Sequence, residues 1–173
     1  MKSRLDHLRT PRNALLALSL WISPAFAQTP PPAPAPAPLE LRLADVGRFA
    51  SFVDLTSAQP EGEALQIRVL QVAEADFQAA GEAYWGGWRH EILDCQARTL
   101  AHAGFSSLRA TGREGPLMGD RRPAVVPARG GTDDAVLKVV CDGWKPFATV
   151  PVATSVEQAV RIGRPLIETG AEP

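Results

Sequence analysis

The pattern of apolar and polar residues predicts a run of β-strands in the first half of the folded chain. Apolar and polar side chains alternate with period two in residues 39–43, which is typical of a half-buried strand. Residues 49–55 and 65–72 are rich in branched and aromatic side chains and predict two further strands. Turn-forming residues lie between them, at 45–47 and 59–62. These segments therefore predict three neighbouring strands joined by short turns.

The middle of the chain predicts two longer strands with loops before and after them. Residues 88–97 and 99–110 alternate in the same way and are separated by a tight reversal or a bend. The tract 73–87 combines helix-forming residues with a glycine pair, and we interpret it as a loop. The glycine-rich segment 112–120 predicts a long polar loop. Residues 122–127 then predict a short strand, which its prolines restrict to a sheet edge or end.

Two segments in the last third of the chain predict helices. The first, residues 132–142, has an apolar stripe at helical spacing, formed by Leu137, Val140, Cys141 and Trp144. Thr132 can cap its start, although its β-branched valines leave a strand as the alternative. Residues 154–157 form a capping box that opens a second, short helix. We expect Gly163 and Pro165 to end that helix.

Residues 1–27 have the features of a secretory signal peptide. A basic start is followed by an apolar run over residues 14–22 and by a cleavage signal of small residues. This run is shorter than the roughly 18 residues that a membrane span needs. We therefore expect cleavage and no membrane span afterwards; an uncleaved anchor is the alternative. Residues 28–38 form a Pro/Ala-rich linker, residues 39–144 one domain, and residues 145–173 a C-terminal extension with the short helix.

The net charge of the chain limits the classes of partner that it is expected to bind. The signal segment holds four basic residues and one acidic residue of the chain's 18 and 19, which leaves 14 against 18 and a net charge of −4. An acidic chain argues against nucleic-acid binding, which requires cations that neutralise phosphates. Arginines nevertheless cluster around the loop at 112–120, and Arg forks recognise carboxylate and sulfate groups well. The candidate ligand-binding residues, for a protein or acidic glycan partner, are Arg109, Arg113, Arg121 and Arg122, with Arg129 nearby. An ordinary solvated loop is the alternative.

The chain has two cysteines, Cys95 and Cys141. In an exported chain, two cysteines are most simply interpreted as one disulfide. This link would tie the predicted helix to a strand and stabilise the fold by about 4 kcal/mol on the chain-entropy model. A metal site or a catalytic thiol is the alternative, although His90 and His102 are the only histidines beyond the signal segment.

Three segments follow one another in a distinctive order. Residues 52–57 precede a strand, residues 91–95 end in an Asp-Cys pair, and residues 137–141 end in the second cysteine. Over residues 39–144 this order resembles the surface-adhesin protein E-like family of Gram-negative envelope proteins. The resemblance implies an α+β fold, in which an antiparallel sheet of about six strands carries the helix at 132–142 on one face, tethered by the disulfide. It also implies adhesin-like binding.

No recognisable constellation of catalytic residues is present. Asp94, His90 and His102 are the candidates for an enzyme, but His90 and Asp94 lie about 13 Å apart along a strand. We therefore predict no catalytic residue, no cofactor, no metal and no enzymatic activity. The predicted function is an exported binding module of the cell envelope with an unknown ligand. A periplasmic structural or self-associating protein, such as a homodimer, is the alternative.

Overall fold

The computed structural model describes residues 38–170, so the predicted signal peptide and nearly all of the linker lie outside the described residues. The described chain forms seven strands and two helices. In chain order, their bounds are β1 Leu41–Val46, β2 Ala50–Glu61, β3 Ala64–Val72, β4 Gln78–Ala79, β5 Glu82–Asp94, β6 Thr99–Arg109, β7 Met118–Gly119, α1 Thr132–Cys141 and α2 Val156–Thr169. The predicted α+β class, the antiparallel sheet and the helix at 132–142 are confirmed.

All neighbouring strands are antiparallel, in the order β1-β2-β3-β5-β6-β7, and β4 pairs with β5 off this path. Phe52, Leu70 and Trp88 are register partners across β2, β3 and β5, so they share one face of the sheet. Val53 and Val69 follow one position along, on the opposite face, because successive strand residues alternate. Both faces therefore carry buried apolar side chains.

The helices cover opposite faces of the sheet. Val136, Leu137 and Val139 of α1 pack in one core cluster with Val53 and Val69. Ala159 and Val160 of α2 pack in the other cluster with Phe52 and Leu70. The sheet is therefore the middle layer of three, and the C-terminal extension supplies one of the outer layers.

Cys95 and Cys141 form a disulfide, as predicted. It joins the turn after β5 to the last residue of α1. The predicted helical stripe is only partly buried, because Trp144 lies beyond the helix and is exposed. Thr132 does not cap α1, since its hydroxyl donates to Asp45 Oδ2 at 2.5 Å.

The prediction of a loop over residues 73–87 is wrong, because β5 begins at Glu82 and runs through the glycine pair. Gly86 has φ +142°, and a Cβ there would lie 1.8 Å from the carbonyl oxygen of Gln71. At Gly87 a Cβ would meet the ring of Phe105. The glycines therefore do not end the strand; they let it pass close to its neighbours.

Helix α2 is longer than predicted. It continues past Gly163 and Pro165 to Thr169, and Gly170 ends it in the left-handed conformation. Gly163 is buried against the sheet, where a Cβ would lie 2.9 Å from Ala50 Cβ. Packing of the apolar face therefore outweighs the low helix propensity of these two residues.

Candidate binding surface

The segment between β6 and α1, residues 110–129, lies along the free edge of β6, and we call it the strap. Its backbone is bonded to β6 at intervals: Gly115 N donates to Ser107 O at 2.7 Å, and Arg122 N donates to His102 O at 2.9 Å. Val125 exchanges two hydrogen bonds with Leu100, of 2.9 and 3.0 Å. The predicted polar loop and edge strand are therefore one irregular segment that covers the edge of the sheet.

The strap exposes several large apolar side chains. Six large hydrophobic side chains are exposed among the described residues, and four of them belong to the strap: Leu117 (58%), Met118 (59%), Val125 (55%) and Val126 (72%). The other two are Trp144 and Val152. An exposed apolar side chain is ordinary by itself, but a group on one segment is typical of a contact surface.

The predicted ligand-binding arginines lie in two places around the strap. Arg109 ends β6 and forms an ion pair with Glu82, whose pKa this hydrogen bond lowers. Arg113 follows the turn after β6, and its ligand-binding role remains a prediction.

The second place is the middle of the strap. Arg121 Nη2 lies 2.6 Å from Glu61 Oε1, and Arg122 Nη2 lies 2.5 Å from Asp120 Oδ2. The Asp120 carboxylate raises the pKa of Arg122. These two arginines keep more than 60% of their side-chain surface exposed while they are paired.

A cluster of charged residues lies beneath the start of α1. Arg89 Nε donates to Glu91 Oε1 at 2.6 Å, and Arg89 Nη2 donates to Asp133 Oδ1 at 2.5 Å. His102 Nδ1 lies 2.8 Å from Glu91 Oε2. Arg89 therefore links β5 to α1, and Glu91 is the fully buried member of the cluster.

Glu91 has no exposed side-chain surface. Burial raises its pKa, while the charges of Arg89 and His102 oppose that rise. Perturbed carboxyl groups in clefts are candidates for functional roles, although structural ion-pair networks produce the same perturbation. The adjoining pocket of about 220 Å³ is lined partly by Arg89, His102, Phe105 and Arg122. Its arginines already bind carboxylates, so the cluster itself connects helix to sheet.

A second polar network lies on the α2 face. The guanidinium of Arg68 stacks over the ring of Trp88, 4.1 Å from its centroid, and Arg68 Nη2 donates to Glu114 Oε2 at 2.8 Å. Ser106 Oγ donates to Glu114 Oε1 at 2.5 Å. Burial, with the charge of Arg68, lowers the pKa of His90. This network attaches the strap to the sheet through Glu114.

The candidates for catalysis do not come together. His102 belongs to the charge cluster, whereas His90 lies on the opposite face. Asp94 Oδ1 accepts from Gln96 N at 2.9 Å and Ala97 N at 2.8 Å, so it shapes the turn after β5. Within residues 38–170, no group of three or more His, Cys, Asp or Glu side chains is placed to hold a metal ion.

A larger pocket, of about 320 Å³, lies between α1, the turn after β5 and the strap. Its walls combine apolar side chains with three basic residues and one acidic residue: Arg98, Val126, Pro127, Arg129, Asp134, Leu137 and Lys138. We call it the disulfide pocket, because Cys95 and Cys141 join two of the elements that line it, the turn after β5 and α1. Sequence analysis missed it, since its walls come from three distant segments. The positive φ of Arg98 cannot be seen in the sequence either.

No protein-family model matches the chain, and no curated protein matches it. Solved structures of Haemophilus influenzae protein E are similar. Crystal form II is 10% identical, with a TM-score of 0.46, and the match covers 69% of this chain and 98% of that one. A second structure is 11% identical, also with a TM-score of 0.46, and covers 68% and 93%. The similarity concerns the course of the backbone, at an identity too low to transfer a function.

In the part of the chain that the structure describes, neither helix has the length and apolar character required to cross a membrane.

Proposed function

We propose that this chain is an exported binding module of the bacterial cell envelope, adhesin-like in that it holds a protein partner without transforming it. The strap is its contact surface. The observation that carries the proposal is the grouping of Leu117, Met118, Val125 and Val126, four of the six exposed large hydrophobic side chains among residues 38–170. Exposed apolar side chains grouped on one segment are typical of protein-binding sites, and Met and Arg are enriched at interface cores.

The strap is constrained before any partner binds. Pro116, Pro123 and Pro127 restrict its backbone, and the bonds to Ser107, His102 and Leu100 hold it against β6. A segment that is already ordered loses little conformational entropy on binding. Exposed apolar side chains on such a segment therefore support a contact surface.

Charge supports a partner with acidic groups. The strap has four arginines and two carboxylates, whereas the chain beyond the signal segment has a net charge of −4. Among the described residues, Arg113 and Arg129 form no ion pair. An acidic partner would meet a locally positive surface on a negative protein, which favours association in this orientation. The arginines predicted from sequence are candidates for this role.

Export is part of the proposal. Structural disulfides persist in oxidising compartments such as the periplasm and the cell exterior, so the bond between Cys95 and Cys141 supports it. Cleavage after residue 27 is a prediction that N-terminal sequencing of the exported protein would test.

The test compares a strap variant with a matched control. Leu117→Ser combined with Met118→Ser removes two exposed apolar side chains, and Val152→Ser removes one that lies outside the strap. Each purified protein is immobilised and exposed to envelope fractions, and the captured proteins are quantified by mass spectrometry. If a partner binds through the strap, the captured amount of that partner should fall more than tenfold with the double variant, because an interface hot spot is lost. The captured amount should stay unchanged with Val152→Ser.

If the wild type, the double variant and Val152→Ser capture equal amounts of every partner, the strap is not the contact surface. Light scattering of the same proteins addresses self-association. A dimer that the double variant dissociates, and Val152→Ser does not, would make a second copy of this chain the partner.

A further inference from the structure

We infer that the disulfide pocket is the part of the binding surface that selects the partner, and that it takes a carboxylate beside a branched aliphatic side chain on an acidic peptide segment. The inference rests on the proposed function of the strap as a protein-binding surface. Val126 and Pro127 belong to the strap and line the pocket, so a segment bound along the strap reaches it directly.

The size and walls of the pocket fit one side chain and its neighbour. Its volume of about 320 Å³ lies at the lower end of the range for small-ligand sites. Leu137, Val126 and Pro127 provide an apolar side, and Leu137 is almost fully buried. Val126 is exposed, and an aliphatic side chain packed against it would remove its apolar surface from water, which favours binding.

The basic side of the pocket has one cation without a partner in the described chain. Arg98 binds Asp142 through two bonds of 2.8 and 3.1 Å, and Lys138 Nζ lies 2.7 Å from Asp134 Oδ2. Arg129 also lines the pocket, and no described carboxylate pairs with it. The walls therefore leave one positive charge uncompensated. A guanidinium in this setting favours a carboxylate, which can accept two parallel hydrogen bonds from it.

The pocket is held rigid by its neighbours. Arg98 has φ +57°, the left-handed conformation that non-glycine residues seldom adopt. Asp94 holds that turn from one side, and the disulfide from Cys95 to Cys141 fixes it to the end of α1. Residues kept in such conformations by their surroundings are concentrated at binding sites. A preformed pocket also binds with a smaller ordering cost.

The apolar side of the pocket favours a peptide over an acidic glycan. Uronic acids and sulfated sugars supply anions but no branched aliphatic group. Val126 lines the pocket and is 72% exposed, so contact with an aliphatic group, which removes apolar surface of both partners from water, stabilises the complex more than contact with a hydroxylated sugar.

The experiment titrates the protein, purified after export, with three short peptides and follows its backbone amide resonances by NMR. Acetyl-Gly-Glu-Leu-Gly-amide presents a side-chain carboxylate, and acetyl-Gly-Gly-Leu presents a C-terminal one. Acetyl-Gly-Gln-Leu-Gly-amide is the neutral control. We expect at least one acidic peptide to shift the resonances of Arg98, Val126 and Leu137 saturably, and the neutral peptide to bind at least tenfold more weakly. The stronger of the two acidic peptides identifies the source of the carboxylate.

Two arginine variants test which positive charge binds the carboxylate of the peptide. Arg129→Gln should weaken binding of the acidic peptide about tenfold, since a charge-assisted hydrogen bond contributes more than a neutral one. Arg161→Gln, at an exposed position of α2 on the opposite face of the sheet, should leave it unchanged. Equal binding of neutral and acidic peptides, no saturable shift up to millimolar concentration, or equal effects of the two variants would overturn the inference. So would tighter binding of trigalacturonate than of either acidic peptide.

The experiments distinguish an error in the pocket inference from an error in the proposed role of the strap. Leu117→Ser with Met118→Ser should abolish capture of the partner but leave peptide affinity unchanged, because neither side chain lines the pocket. If the peptides do not bind and the double variant still captures less of the partner, the strap remains the proposed contact surface and the pocket inference is wrong.

Discussion

The two faces of the sheet are covered by helices that are held in different ways. Helix α1 is attached by a disulfide at its end and by Arg89 near its start, which donates to Asp133 at 2.5 Å. Helix α2 is attached by close apolar packing, with Gly163 against Ala50. Among the described ion pairs, none joins α2 to the sheet. Both helices bury apolar side chains, but α1 is held in addition by an ion pair and a covalent link, whereas α2 adds only a hydrogen bond of 3.3 Å from Arg164 Nε to Ala73 O among the described side-chain bonds to the sheet side.

This difference explains where the contact surface can form. The α1 side carries the disulfide pocket and the strap residues that line it, and the disulfide at the end of α1 holds the pocket in place. Ion pairs in a buried setting fix one geometry even where they add little net stability. Apolar packing on the α2 side contributes stability through buried surface. Four sets of variants test this division, and the first should change the free energy of unfolding most.

Arg89→Ala should be the most destabilising change on the α1 side. It leaves the carboxylate of Glu91 buried without its main partner, and breaking a buried ion pair in this way costs about 3–5 kcal/mol. Urea unfolding would measure the loss in free energy of unfolding. Arg42→Ala removes a more exposed pair with Glu40 and should cost less than about 1 kcal/mol. Similar losses in the two variants would show that the cluster does not hold α1.

Removing the disulfide should cost nearly as much. The two cysteines are 46 residues apart in sequence, and on the chain-entropy model a loop of this size contributes about 4 kcal/mol. Cys95→Ser with Cys141→Ser should lower the midpoint of urea unfolding, and reduction of the wild-type protein should reproduce that shift. No change on reduction would mean that α1 is held without the bond.

Gly163→Ala, on the α2 side, should lower the free energy of unfolding by less than loss of Arg89 or of the disulfide. The new methyl group would lie 2.9 Å from Ala50 Cβ and 3.1 Å from the Phe52 ring. Overpacking of this kind costs about 1–3 kcal/mol, and alanine's better helix propensity returns about 1 kcal/mol. Combining it with Ala50→Gly removes the closest contact, so a double-mutant cycle should give a favourable coupling energy. Independent effects of the two changes would contradict the close packing of α2.

Glu91→Gln should give the smallest effect, visible as a change in pH dependence. Burial raises the pKa of Glu91 in the folded protein, so folding favours its protonated form. The stability that this group contributes is therefore present at low pH and is lost as pH rises through the folded pKa. Relative to Glu91→Gln, the wild type should lose stability as pH increases above 4.5, the ordinary pKa of this carboxyl group. Arg89, His102 and Asp133 face Glu91 and are unchanged in both proteins. An identical pH profile for the two would contradict the raised pKa.

The charge cluster shows why part of the candidate site could not be predicted. Arg89 and Glu91 are two residues apart on β5, and this alternation in sequence indicates only that they share a face. A face with two charges is usually exposed to solvent. Here Asp133, 42 residues later than Glu91, brings α1 over it. The arginines of the strap were predicted as candidates, but their pairing with Glu61 and Asp120 depends on the path of the strap along β6.

Local patterns in the sequence were enough to predict the strands β1, β3 and β6 and to favour the helix α1 and the pairing of Cys95 with Cys141. Period-two alternation and helical spacing act over a few residues, and two cysteines leave one possible intramolecular pair. The tertiary structure alone explains why α2 continues through Pro165, why β5 passes through Gly86 and why Glu91 is buried. Each of these outcomes depends on which distant segment packs against the residue, and local sequence holds no record of that contact.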